Sequence, residues 1–137
     1  MEIKAKLVDK LQFNAVADSN HAIVIDANKK LSYDQGSRPK ELLLVSLATC
    51  TGMDVVSILY KMHLEFDDFQ VLVKGESTEE HPKVFKKIDL EYIIKGNDID
   101  AEKLEKAIDL SQNRYCGVSA MLKKACELNY DYTINQS

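Results

Sequence analysis

Pro39-Lys-Glu41-Leu-Leu-Leu-Val-Ser-Leu-Ala-Thr-Cys50-Thr-Gly-Met-Asp54-Val-Val-Ser-Ile-Leu-Tyr-Lys-Met62 is the stretch on which the fold turns. Proline suits a first helical turn, Ser37 or Arg38 lies near the cap, and the Glu41 carboxylate complements the positive end of the helix dipole. Leu42, Leu43, Leu44, Val45, Leu47, Val55, Val56, Ile58 and Leu59 cover every direction of the helical wheel, so the helix must be buried on more than one side. A single small sheet covers one face only. A second layer of helix or a partner subunit has to cover the rest, and a homodimer is expected. Between Leu42 and Tyr60 the only charge is Asp54, and the length is marginally enough for a bilayer. Ser46, Thr49, Thr51, Gly52 and Ser57 interrupt the apolar run, and burying Asp54 in lipid costs roughly 3 kcal/mol. The stretch therefore reads as a buried helix of a soluble protein, with no membrane partner.

Working outward, Ile3, Ala5 and Leu7 alternate with polar neighbours, as do Leu11, Phe13 and Ala15, and Ala22 to Ile25 is a short β-branched run. These periods predict three N-terminal strands, followed by a turn at 26–30 and a polar loop at 32–38 broken by Gly36. Beyond the long helix, 69–75 and the alternating 85–95 read as strands linked by the polar turn 77–82. Ile88, Leu90 and Tyr92 share one face of the second strand. Asp98 or Asp100 can cap a helix over 101–113, whose Leu104, Ala107, Ile108 and Leu110 make an apolar stripe. A shorter helix over 117–127 and a strand over 130–134 follow. The expected class is α+β.

The chain has 137 residues, 45% of them apolar, which fits one domain spanning 1–137 with an ordinary core. A net charge of −4 without a lysine-arginine block excludes a nucleic-acid partner, since that binding is driven by clustered basic charge. The first residues carry charge but no apolar run of a signal peptide, and three cysteines do not make a disulfide scaffold. A cytoplasmic location is expected, where a cysteine pair is either two packing residues or a transient redox couple.

Cys50 is centred in the apolar helix, and Cys116 opens a later helix in Tyr115-Cys116-Gly-Val-Ser119. A free thiol has a pKa near 8.5, so a buried mid-helix thiol needs a neighbouring cation to become a thiolate. Cys116, near unpaired helix N–H groups, is better placed by itself. Read from the residues alone, packing is the commoner role for both, and Cys126, between Ala125 and Glu127, is most simply a small core residue. No Cys-x-x-Cys or His-x-x-x-His spacing occurs, and His21, His63 and His81 fall in a strand, a helix end and a turn, so no metal is expected. Asp54, Ser57 and Ser119 receive no role.

Arg38-Pro-Lys-Glu41 through Cys50-Thr-Gly-Met-Asp54, together with Tyr115-Cys116-Gly-Val-Ser119, resembles the two signature cysteine segments of the OsmC/Ohr family of osmotically induced and organic hydroperoxide resistance proteins, and most of all its YhfA-like branch. The resemblance extends over nearly the whole chain. It implies an OsmC-like fold of N-terminal β-strands, a long buried central helix, further antiparallel strands and two C-terminal helices, in an intertwined homodimer. It also implies a thiol peroxidase of oxidative stress defence that needs no cofactor. Cys50 attacks an organic hydroperoxide and becomes a sulfenic acid, Cys116 resolves it to a disulfide, and a dithiol reductant reopens the bridge. Glu41 falls at the family's carboxylate position.

Nine residues at about 100° each put Glu41 and Cys50 on opposite sides of one helix, so Glu41 is expected to serve Cys50 of a partner subunit. The family's thiolate-stabilising arginine has no direct counterpart. Its position falls near Lys30, while Arg38 sits at the helix start, and a lysine supplies charge without a planar two-pronged contact. The alternative is a non-catalytic dimer that binds an apolar small molecule or senses redox state, with Met53, Met62 and Met121 forming a flexible apolar wall.

Overall fold

The computed structural model describes all residues, Met1–Ser137. Its elements are β1 (Ile3–Asp9), β2 (Gln12–Ala17), β3 (Ala22–Ile25), α1 (Pro39–Lys61), β4 (Asp68–Ser77), β5 (Phe85–Lys95), α2 (Ala101–Leu110), a π-helical turn (Ser111–Tyr115), α3 (Gly117–Lys123) and β6 (Glu127–Asn135). They fall into two compact units, Met1–Leu43 and Leu44–Ser137. The architecture is the expected α+β class.

In the first unit β1, β2 and β3 form an antiparallel sheet in chain order. Lys10, with φ of 45°, makes the tight hairpin turn between β1 and β2. The loop after β3 is organised by Asp26, which is 2% exposed. Its carboxylate accepts from the Ala27 and Gln35 backbone N–H groups at 2.7 and 3.1 Å and from the Gln12 amide at 3.2 Å. Burial pushes this carboxyl up, but the hydrogen bonds from Ser32, Gln35, Ala27 and Gln12 outweigh it and lower the pKa to about 2. Gly36 lies directly against the Val24 carbonyl, where an added Cβ would sit 2.5 Å from the oxygen. Only glycine fits there.

Helix α1 begins as the sequence implies. Pro39 occupies the first turn, and the Arg38 N–H donates to the Glu41 carboxylate at 3.0 Å, which is half of a capping box. The helix ends where His63 takes a positive φ of 54°.

In the second unit β4 pairs antiparallel with β5, and β6 pairs parallel with β5. The further antiparallel strands expected after the central helix are β4 and β5, and the final strand, whose pairing the sequence left open, joins them in parallel. Parallel pairing follows because α2 and α3 form the crossover that returns the chain to the same end of the sheet. Alternate residues Ile88, Leu90, Tyr92 and Ile94 of β5 are buried. Tyr92 and Ile94 pack with Val55 and Leu59 of α1 and with Leu104, Ala107 and Ile108 of α2, while Leu47 packs with Ile88 and Leu90. Gly52 brings α1 close to β4, since a Cβ there would meet Val71 at 3.3 Å. Burying a side chain such as Leu59 stabilises the fold by about 1.5–3 kcal/mol.

Two helix ends are corrected. The predicted helix over 101–113 stops at Leu110 and widens into the π turn, and the helix predicted over 117–127 stops at Lys123. Helix α1 is not covered all round within one chain. Leu47, Thr51, Gly52, Val55 and Leu59 form a single buried stripe, whereas Leu43, Val45, Met53 and Tyr60 are exposed. Met53 and Met121 are both largely exposed, and Met53 lines a shallow apolar pocket with Val56, Phe69 and Val71.

Candidate active site

Cys50 and Asp54 stand one turn apart on α1 and so share a face. Cys116 reaches them through the π turn. Its N–H donates to the Ser111 carbonyl at 2.8 Å, closing the wide turn, and it then leaves the helix in an extended conformation to become the N-cap of α3. The Cys116 sulfur accepts from the Ser119 N–H at 3.3 Å. π turns recur at functional sites because they re-aim the side chains that follow. Here the result is that Cys50 Sγ, Cys116 Sγ and a carboxylate oxygen of Asp54 all lie within 4.8 Å of one another. All three cysteines are free thiols.

The two thiols are unequal. Cys50 is half-buried and Cys116 is buried, so an incoming molecule meets Cys50 first. Burial pushes the Cys50 thiol up, and its hydrogen bond with Cys116 and the negative charge of Asp54 push the same way; the Val118 N–H pulls it down. Cys126 packs beside Leu47, Ile88 and Leu90 and is pushed up by burial alone. It lies outside the cluster, as a packing residue.

Behind the cluster lies a buried polar file. The Gln112 amide donates to Tyr92 OH at 2.6 Å, Tyr92 OH meets Thr51 Oγ1 at 2.5 Å, and Thr51 Oγ1 meets Ser111 Oγ at 2.8 Å. Ser111 Oγ donates to Asp54 Oδ2 at 3.1 Å. Each hydroxyl has one proton, so fixing the two ends fixes the middle: Tyr92 donates to Thr51 and Thr51 to Ser111. The Gln112 amide also reaches Thr51 Oγ1 at 3.2 Å, and the Gln112 carbonyl accepts from Lys123 Nζ at 2.6 Å, which ties α3 to the π turn. Gln112 Oε1 and Ser119 Oγ are buried without a partner. On the outer side, a cavity of about 520 Å³ is lined by Asp54, Ser57, Ile58, Lys61, Leu110 and Tyr115. It supplies an approach of mixed polar and apolar lining, with a lysine at its wall.

The other residues singled out in the sequence are engaged in the N-terminal unit. Glu41 holds the Arg38 N–H. The Arg38 guanidinium is bound to the Asp34 carboxylate, to the Gly36 carbonyl at 2.7 Å and to the Asp26 carbonyl at 3.4 Å. Lys30 sits in an exposed loop with its N–H on Asn28. The structure thus brings Cys50 and Cys116 together and adds Asp54, a residue without a role in the sequence reading. Its spacing of four from Cys50 was the available signal. Ser111, Gln112 and Tyr92 carried none, because their convergence on Thr51 is purely tertiary.

Residues 32–131 match the family described as OsmC-like protein. The chain is 35% identical over 134 residues to Protein YhfA of Escherichia coli strain K12, covering 98% of each. A crystal structure of a hypothetical protein from Aquifex aeolicus VF5 is 31% identical, with a TM-score of 0.87 over 99% of this chain and 96% of that one. The organic hydroperoxide resistance protein OhrB of Bacillus subtilis has the same fold at 15% identity, with a TM-score of 0.62 over 96% of each chain.

Proposed function

This chain belongs to the OsmC-like protein family, and from that premise we propose that it reduces organic hydroperoxides through Cys50 and Cys116 in the cytoplasm. The observation that carries the reading is the meeting of these two thiols, 66 residues apart in sequence, at one half-open site. The Cys50 sulfur attacks the terminal oxygen of the hydroperoxide, the O–O bond breaks, and the alcohol leaves with a proton as Cys50 becomes a sulfenic acid. Cys116 then displaces water to form the disulfide, and a dithiol reductant returns both thiols while being oxidised to its own disulfide. Cys50 takes the first role because it is the more accessible. The cavity beside Asp54, where Ile58, Leu110 and Tyr115 alternate with Asp54, Ser57 and Lys61, offers a hydroperoxide both an apolar wall for its organic group and polar groups for its oxygens.

The protein acts in this reading as a homodimer. The exposed Leu43, Val45, Met53 and Tyr60 of α1 form the apolar surface that a second copy covers. Glu41, on the side of α1 opposite Cys50, is assigned to the partner subunit's site. A second reading is favoured by one observation: burial, then the hydrogen bond with Cys116, and last the Asp54 charge raise the Cys50 pKa, which slows thiolate chemistry at neutral pH. On that reading the dimer binds an apolar molecule and the thiols sense oxidation.

Single-turnover oxidation of the reduced protein by an organic hydroperoxide separates the two. A Cys50–Cys116 disulfide that forms faster than a free thiol reacts, speeds up as pH rises through the thiol range, and is lost in Cys50→Ser supports the enzyme. Oxidation no faster than an ordinary thiol's supports the binding dimer.

A further inference from the structure

Two soft sulfur donors and one carboxylate oxygen converge on a point from three directions: Cys50 Sγ and the Asp54 carboxylate from one face of α1, and Cys116 Sγ from the N-cap of α3. We propose that, in the reduced protein, Cys50, Cys116 and Asp54 bind a thiophilic divalent cation of the zinc type. The inference is independent of the peroxidase reading, since it needs only the reduced side chains.

The dimensions fit. Metal–sulfur bonds of about 2.3 Å and metal–oxygen bonds of about 2.0 Å in a tetrahedron set donor separations of about 3.5–3.8 Å. The donors lie within 4.8 Å already, so side-chain adjustments of about 1 Å close the site. Two thiolates and a carboxylate carry three negative charges, which a dication reduces to one, with Lys61 in the wall of the adjoining cavity. The site is also supported from behind. Ser111 Oγ holds the Asp54 carboxylate at 3.1 Å and the Ser119 N–H holds the Cys116 sulfur at 3.3 Å, which are the orienting contacts that ligands require. The cavity beside Asp54 leaves room for water as a fourth ligand. On binding, two metal–sulfur bonds form and the two thiol protons leave to solvent. No Cys-x-x-Cys spacing announces such a site, because the π turn rather than local sequence brings the second cysteine in.

The test is a titration of the pre-reduced full-length protein with cadmium, a spectroscopic stand-in for zinc, read by its ultraviolet thiolate charge-transfer absorption, with no peroxide present. The expected result is one cadmium per chain, unchanged in Cys126→Ser and lost in Cys50→Ser and Cys116→Ser. Asp54→Asn, which keeps an acceptor for Ser111 and therefore the fold, should weaken binding at least tenfold. Zinc should displace the cadmium competitively. A band that survives both cysteine variants, or that depends on Cys126, overturns the proposal, and so does full affinity in Asp54→Asn with an unchanged circular dichroism spectrum. Because no hydroperoxide enters the assay, a protein inert as a peroxidase can still pass it, and an active one can fail.

Discussion

Leu59, Tyr92 and Leu104 of the C-terminal unit are completely buried, whereas Ile3, Leu7, Leu11 and Ile23 of the N-terminal unit leave about half or more of their surfaces open. The same apolar residue types thus serve opposite ends. In Leu44–Ser137 they close a core over which the thiols and the polar file are held. In Met1–Leu43 the order comes from the strand ladders and from the carboxylate hub at Asp26, and the apolar side chains are left facing outward. A unit held together by polar contacts keeps its order without a deep apolar core, and a unit with fully buried leucines can hold side chains in fixed geometry.

The sharpest way to break this contrast is to truncate one leucine in each unit. Leu59→Ala is expected to cost about 2–5 kcal/mol in denaturant unfolding, as buried leucines do. Leu11→Ala should stay within about 0.5 kcal/mol, as exposed substitutions do. A cost for Leu11→Ala that grows with protein concentration would sharpen the picture differently, by placing a second copy on the N-terminal sheet.

A smaller effect tests the polar file. Thr51→Val keeps the shape but leaves Tyr92, Ser111 and Gln112 short of a partner, at an expected cost of about 1–3 kcal/mol in the same unfolding measurement. Equal stability would mean that the file is incidental to the core.

Acid gives the smallest and most local effect. The Asp26 pKa is depressed to about 2, so its contribution is complete above the ordinary carboxylate range near 3.9 and is lost as pH falls through about 2. Amide exchange at Ala27 and Gln35, corrected for intrinsic rate, should therefore accelerate as pH drops from 4 to 2, while Tyr92 and Ile94 stay protected. Simultaneous loss in both units would contradict the division.

Much of this fold was legible in the sequence where periodicity decides it. Alternation placed β1, β2 and β5, a β-branched run placed β3, and Pro39 with Glu41 marked the start of α1. The two signature segments paired Cys50 with Cys116 by resemblance. What could not be read depends on contacts between distant residues. Nothing in Ser111-Gln-Asn-Arg-Tyr115 distinguishes a π turn from a helix end, because the widening is stabilised by Ser111 and Gln112 reaching Thr51. Parallel pairing of β6 follows from the crossover and not from its alternation. Asp54 looked like a stray charge in an apolar helix because its partners come from 57 and 62 positions further along the chain.

The file from Gln112 through Tyr92, Thr51 and Ser111 to Asp54 gives this core a polarity. Every proton in it points toward the carboxylate, so the row behaves like a column of compass needles set by the charge at its end. Neutralising Asp54 removes what aligns them, and Tyr92, on the central strand of its sheet, becomes a place where events at the thiols can be heard.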